Sequence, residues 1–329
     1  MLSLVIPVFN EEEVLPMTLK SLRGVLSSLH GDYEILFVDD GSRDGSLEYL
    51  ATQAALDRRV KVLSFSRNFG HQAAVTAGLD FACGEAVIVM DADLQDPPEL
   101  IPQMLQLYEE GYDIVSPRRI SRSGETWFKK TSAALFYRVM KKMVDPRLAE
   151  DVGDFRLFSS RAVAALRRLR EQHRFMRGMV AWLGLRETVI PFERQARAAG
   201  TTKYPLWKMI RFCWTAITSF SAIPLQMTLG LGIMSCGLAF CYLTYALISA
   251  IFYKDVVWGW TSVVFLQCFF FGITLICLGL IGDYVAKIYE ESKGRPLYVV
   301  GQAFNTIESP LTERAIIIEP MRASKTQAR

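Results

Sequence analysis

In the stretch VIVMDADLQDPPEL an apolar run delivers two carboxylates, Asp91 and Asp93, into a loop closed by Pro97 and Pro98. Carboxylates two residues apart on an extended segment point the same way, and their hard oxygens suit Mg2+ or Mn2+. A cation held there needs few protein ligands when a diphosphate supplies the rest. Bound between phosphates, it neutralises the charge that builds on a departing nucleoside diphosphate. Solvated acidic loops and helix caps show the same spacing, so the position of this pair after a buried strand is what favours chemistry.

A second constellation is VIPVFNEEE together with ILFVDDGSRDGS. Pro7 and the loop after it can offer backbone groups to a base, and an aspartate can accept an imide N–H or a ribose hydroxyl. Gly41 and Gly45 permit tight turns, and Asp44 or Ser46 can cap the helix that follows. The elements that must position these groups are four short apolar runs, Leu2 to Val8, Glu34 to Val38, Val60 to Phe65 and Ala86 to Met90, which read as buried strands. Helical stretches over Glu12 to Leu29 and Gly45 to Asp57 separate them. The alternation predicts an α/β fold, a mostly parallel Rossmann-like sheet with helices on both faces. Ligands of such sheets bind beyond the carboxyl ends of the strands, where both constellations fall.

The last third of the chain has a different character. No charged residue occurs from Phe212 to Tyr253 or from Val256 to Gly282, and each run exceeds the roughly 20 apolar residues that span a bilayer. A two-helix transmembrane hairpin is expected, turning at Lys254 and Asp255. Lys203, Lys208 and Arg211 before it, and Lys287, Lys293 and Arg295 after it, put both flanks on the cytoplasmic side. Leu206, Trp207, Met209 and Ile210 mixed with Lys208 and Arg211 read as a juxtamembrane helix lying in the interface, or equally as a core-facing helix. The expected division is a catalytic domain over 1–204, the juxtamembrane helix over 205–223, two spans over 224–283, and a cytoplasmic segment and tail over 284–329. The N-terminus enters a strand directly, with no leader pattern. A net charge of +3 with scattered basic residues argues against nucleic acid as a partner. Cys236, Cys241, Cys268 and Cys277 lie in the apolar region, and no disulfide or CxxC metal pattern is present. His30, His71 and His173 show no ligand spacing and are expected to be structural.

With IPVFNEE, VDDGSRDGS, SFSRNFGHQAAVTAG, DADLQDPPE, GDFRLFSS, RFMRGMVAWLG and RAAGTTKYP followed by two closing spans, the chain resembles the GT-A family-two glycosyltransferases. Within them it is similar to the polyprenyl-phosphate sugar synthases, which include dolichyl-phosphate mannose synthase and the GtrB-type bactoprenol glucosyltransferases. The resemblance implies nucleotide-sugar contacts at Pro7, Phe9, Glu11, Val38, Asp40, Asp91, Ala92, Asp93 and Gln95, with the metal on Asp91 and Asp93. It implies phosphate contacts from Arg119, Arg197 and Lys203, and a homo-oligomer, a tetramer. Arg119 and Arg122 are candidates for an acceptor phosphate, with Arg118 an alternative that spacing does not separate. Asp154 matches the position where GtrB-type members keep a general base, yet a phosphate acceptor needs little deprotonation, so orienting the sugar is an alternative role. Asp151 is the runner-up. Arg177 and Trp182 line the sugar and acceptor end in this reading, although Trp182 fits core packing as well. The implied reaction is inverting transfer of a hexose, glucose from UDP-glucose by preference, to polyprenyl phosphate in a membrane.

Overall fold

The computed structural model describes residues 1–29, 31–120, 138, 152–192, 217–219, 221–252, 259–306 and 316–317. They form two compact units, Met1–Met209 with Arg295–Arg329, and Ile210–Gly294. The first unit is built on a nine-stranded mixed sheet. Strands β1 (Leu2–Val8), β2 (Tyr33–Asp39), β3 (Val60–Phe65) and β4 (Ala86–Val89) are the four apolar runs read from the sequence. They pair in parallel in the order β4, β1, β2, β3.

Strand β1 is buried along its whole length, and its two faces carry different partners. Leu2, Leu4, Ile6 and Val8 share one hydrophobic core with Leu15, Leu19, Leu22 and Leu26 of α1 (Leu15–Leu26), Leu50 and Ala54 of α2 (Ser46–Leu56), and Ile101 and Met104 of α4 (Ile101–Glu109). The two-residue period of the strand meets the three-and-four-residue period of the helix, which is why these elements form in this sequence. Val5 points to the opposite face, against α3 (His71–Phe81). Helix α1 is shorter than expected because Glu12 lies in the preceding turn, where its carboxylate accepts the Gly45 N–H at 2.9 Å.

Strands β5 (Ile114–Arg119), β6 (Arg156–Ser159) and β7 (Glu187–Phe192) extend the sheet beyond β4, with β6 antiparallel to both β4 and β5. Their short, interrupted apolar patterns gave no strand reading. Ser159 ends β6 and caps α5 (Ser160–Arg168), its hydroxyl accepting the Ala162 N–H at 3.2 Å. Helix α6 (Met176–Leu183) follows and stops at Gly184 in the left-handed conformation.

The far edge of the sheet holds a feature absent from the sequence reading. After the apolar helices the chain returns, and β8 (Val299–Phe304) pairs antiparallel with β3, with β9 (Ile316–Ile317) beside it. The segment over 284–329, expected as a cytoplasmic segment and tail, thus contributes two strands to the sheet. Tyr298 anchors it: its hydroxyl donates to Asp80 Oδ2 at 2.7 Å, and its ring stacks on Phe65 at 5.2 Å. Arg170 closes the cluster with bonds of 2.7 and 2.9 Å to the same carboxylate.

In the second unit, α7 (Ile223–Phe252) and α8 (Trp260–Ser292) are long and apolar enough to cross a membrane. Their apolar side chains face outward, Phe240 at 69% and Phe265 at 67% exposure. Surfaces of that kind are costly in water and match a hydrocarbon surrounding. The second helix runs nine residues past the expected end at 283, to Ser292. Near that end Tyr284 donates to the Ser221 carbonyl at 2.7 Å, and Lys287 binds Thr218. The juxtamembrane segment over 205–223 lies mostly outside the described residues.

Two outcomes follow for the first unit. A Cβ on Gly78 would come within 2.0 Å of Val5 Cγ1, so Gly78→Ala is expected to cost about 1–3 kcal/mol through overpacking, read as a lower melting temperature. Asp113, buried at 6% exposure, accepts from Ser159 Oγ at 3.0 Å and Arg161 Nε at 3.1 Å. The Arg161 bond holds its carboxyl below the usual range against the opposing effect of burial. A carboxyl depressed in the folded chain contributes stability above its unfolded pKa of about 3.9 and loses it as pH falls below that value. Asp113→Asn should therefore lower the melting temperature near neutrality and shrink the difference from wild type below about pH 4.

Candidate active site

Four chain segments meet beyond the carboxyl ends of β1, β2 and β4. The loop after β1 and the loop after β2 are zipped together: Asn10 N–H donates to Ser42 Oγ at 2.9 Å, Arg43 N–H to Asn10 Oδ1 at 2.8 Å, and Glu11 N–H to Ser46 Oγ at 3.0 Å. Asp44 accepts the Ser46 N–H at 3.1 Å, next to Gly45, which occupies the N-cap of α2. Gly41 has φ +68°, and a Cβ there would lie 2.6 Å from the Arg67 carbonyl carbon. Only glycine lets the loops after β2 and β3 approach this closely.

Asp39 and Asp40, adjacent in sequence, do different work. Asp39 is fully buried and accepts from Ser64 Oγ at 2.7 Å and Ser42 N–H at 3.1 Å. Asp40 accepts the N–H groups of Phe69 at 2.7 Å and Gly70 at 2.9 Å, which fixes the RNFG turn and with it the start of α3. Burial pushes the Asp40 carboxyl up, and the two N–H groups partly offset this.

Asp93 sits in a turn after β4 and Asp91 directly ahead of that turn, so the pair is not carried by one extended segment as expected. Three local features shape the turn. Thr18 of α1 donates to the Ala92 carbonyl at 2.6 Å, Asp93 Oδ1 accepts the Gln95 N–H at 3.1 Å, and Leu94 takes a left-handed φ of +56°. A bulky residue in that region stores backbone strain, a feature that clusters at functional sites. Both carboxylates still line one cavity of about 520 Å3 with Pro7, Phe9, Glu11, Asp40, Ala92 and His71. A second depression of about 750 Å3 adjoins it, sharing Phe9 and Asn68 and reaching Arg43, Arg67 and Gln302 of β8.

Asp154, which precedes β6, meets the cavity through His71. Its Oδ2 lies 3.1 Å from His71 Nε2 and its Oδ1 accepts from Arg177 Nε of α6 at 3.2 Å. The same His71 nitrogen lies 3.9 Å from Asp91 Oδ1. Burial alone would raise the Asp154 carboxyl, but the His71 bond and the Arg177, His71 and Arg156 charges outweigh it and hold the group far below the usual carboxylate range. Burial raises Asp91, as do neighbouring Asp154 and Asp93, while His71 and Arg119 counteract. His71 itself is pushed up, because its bond to Asp154 and the charge of Asp91 outweigh its burial. Arg119, at the end of β5, packs its guanidinium 3.1 Å from where a Cβ on Gly153 would sit.

The cavity thus unites Pro7, Phe9, Glu11, Asp40, Asp91, Ala92 and Asp93, with Asp154 reached through His71. Val38 is fully buried inside the sheet, and Gln95 is 5% exposed; neither lines the cavity. Arg122, Arg197, Lys203 and Asp151 lie outside the described residues, as does His30. His71, expected to be structural, lines the cavity with its imidazole 3.1 Å from Asp154 and 3.9 Å from Asp91. The signal was available in RNFGHQ, where a glycine turn after a strand opens a helix at the ligand-binding edge. Trp182 is 63% exposed, which removes the core-packing alternative.

Among the described residues no set of three His, Cys, Asp or Glu side chains is arranged to hold a metal by itself. The paired oxygens of Asp91 and Asp93 fit a hard cation whose remaining ligands come from a bound anion.

Residues 3–167 match the family model described as Glycosyl transferase family 2. The chain belongs to glycosyl transferase family 2. The family supplies the GT-A architecture and an enzymatic activity, glycosyl transfer. YkcC of Bacillus subtilis (strain 168), described as an uncharacterized glycosyltransferase, is 45% identical over 302 residues, 92% of this chain and 94% of its own length. A bactoprenol glucosyl transferase of Shigella phage SfV is 38% identical over 91% of this chain and 97% of its own. Among solved structures, glucosyl-3-phosphoglycerate synthase from Mycobacterium tuberculosis covers 66% of this chain and 77% of its own, with TM-score 0.46 and 18% identity.

Asp40 gives this site its first test. Asparagine keeps one acceptor oxygen and turns an amide toward an N–H it formerly accepted, so Asp40→Asn is expected to release the turn. Amide hydrogen exchange at Phe69 and Gly70 should accelerate at least tenfold, with exchange in β1 unchanged.

Proposed function

We propose that this family 2 enzyme transfers a hexose, by preference glucose from UDP-glucose, to a polyprenyl phosphate such as undecaprenyl phosphate, with inversion at the anomeric carbon. The observation that carries the reading is the joining, in one chain, of a strand-end cavity holding Asp91 and Asp93 to two helices of bilayer length. The near full-length similarity to a bactoprenol glucosyl transferase supports it. Donors other than UDP-glucose, carrying GlcNAc, an aminoarabinose or mannose, use the same chemistry and are decided by assay.

In this reading Phe9 and Asp40 face the base and ribose, and the two adjoining depressions give room for an extended nucleotide sugar. Asp91 and Asp93 would hold Mg2+ or Mn2+, which would supply charge neutralisation for the departing nucleoside diphosphate. Arg119, with Arg122, Arg197 and Lys203, binds phosphate oxygens, so that an anionic donor and an anionic acceptor can share one site. The lipid phosphate attacks C1 from the side opposite the leaving group, which gives inversion. Asp154 contributes as a fixed anion: held far below the usual carboxylate range, it is a weak base, and a phosphate nucleophile needs none.

Membrane insertion through α7 and α8 brings the enzyme to its lipid acceptor. Both chain segments flanking the helices belong to the sheet-containing unit, which favours their emergence on one side of the bilayer. The basic flanks assign that side to the cytoplasm. The reading includes a homo-oligomer, with a tetramer expected from the family resemblance.

Purified full-length protein incubated with undecaprenyl phosphate, Mg2+ or Mn2+ and a panel of labelled nucleotide sugars is expected to move label into the lipid extract from UDP-glucose most efficiently. Label that stays in water for every donor overturns the proposal. Asp93→Asn should fold and insert normally yet lose activity by about a hundredfold or more, and Asp154→Asn should lose less.

A further inference from the structure

His71 stands between two parts of the site that come from distant elements. It opens α3, its Nε2 lies 3.1 Å from Asp154 ahead of β6, and it lies 3.9 Å from Asp91 after β4. Its own placement is over-determined. The Gly70 N–H that precedes it is held by Asp40 at 2.9 Å, and Gln72, which follows it, accepts the Met176 N–H at 3.0 Å. That last bond ties the start of α3 to the start of α6, the helix that carries Arg177. Asp154 is therefore gripped from two sides, by His71 on Oδ2 and by Arg177 on Oδ1 at 3.2 Å. Its side chain is 16% exposed, whereas that of His71 is 40% exposed toward the cavity.

We infer that His71 is a positioning residue for glycosyl transfer, clamping the Asp154 carboxylate so that Asp154 and Arg177 keep a fixed place beside the Asp91 and Asp93 pair. The inference rests on the proposed reading of Asp91 and Asp93 as the diphosphate end of the site. The physical reason is that an isolated carboxylate at this position would turn toward whichever cation lies nearest, including one bound by its neighbours. A nitrogen donor on a rigid helix start denies it that freedom, as outer-layer partners do for ligating groups elsewhere. The imidazole also stands between Asp154 and Asp91, 3.1 Å from the one and 3.9 Å from the other, so that the two carboxylates can lie near each other.

The test uses full-length protein in lipid nanodiscs with undecaprenyl phosphate and the best donor. His71→Ala is expected to lower kcat by about ten- to a hundredfold while KM for the nucleotide sugar changes less than about threefold. His71→Gln, whose amide nitrogen reaches about as far as Nε2, should recover a large part of that loss. In the cycle with Asp154→Asn, the double variant should be no slower than the slower single variant, because the two residues act as one unit. Multiplying losses, no recovery with glutamine, or a loss confined to KM each overturn the inference. Titration calorimetry with UDP and Mn2+ supplies a readout apart from turnover: His71→Ala should bind as wild type does, and weakened binding reassigns His71 to Asp91 and refutes the clamp. Each variant is compared at matched melting temperature. Wild-type protein that transfers no sugar sinks the underlying reading and this inference together; wild-type turnover with multiplying losses sinks this inference alone.

Discussion

Asp93 and Asp154 lie close enough to Asp91 to raise its proton affinity, and burial adds to the effect. Gathering them is possible because Arg177, His71 and Arg119 are set among them by three different elements. The balance is uneven in a useful way. Asp154, gripped on both oxygens, stays ionised, while Asp91 is pushed up and has charge to gain from a cation. Environment gives neighbouring groups of one chemical type opposite tendencies, the principle by which paired carboxylates acquire separate tasks.

The sheet serves this charge arrangement. The two-sided burial of β1 fixes its register, the loop zipper around Glu11, Asn10 and Ser42 holds the first two strand ends together, and Thr18 reaches across from α1 to pin the turn that carries Ala92. Each device is a hydrogen bond from an element already locked by apolar packing. The loops at these strand ends are therefore held in place, a condition for electrostatic stabilisation of a developing charge.

Much of this was legible in the residues. The four parallel strands, the strand-end position of Asp91 and Asp93 and the two long apolar helices each carry a local signal, periodicity or uninterrupted hydropathy. What escaped was non-local. Strands β5 to β8 are short, antiparallel or at an edge, and nothing in VVGQAF marks it as a partner of β3. His71 was passed over because a lone histidine has no spacing pattern, and only the meeting of α3 with the segment before β6 gives it a partner. The division of labour between Asp39 and Asp40 likewise depends on where the loop after β3 comes to rest.

The return of β8 to the sheet sets a timetable for biogenesis. Strand β8, the outer partner of β3, begins at Val299, beyond both long apolar helices, so the outer edge of β3 stays open until they have been synthesised. An unpaired strand edge is a template for wrong pairing. Until β8 arrives, the sheet-containing unit carries an adhesive edge that a chain interrupted within the helices would never cover.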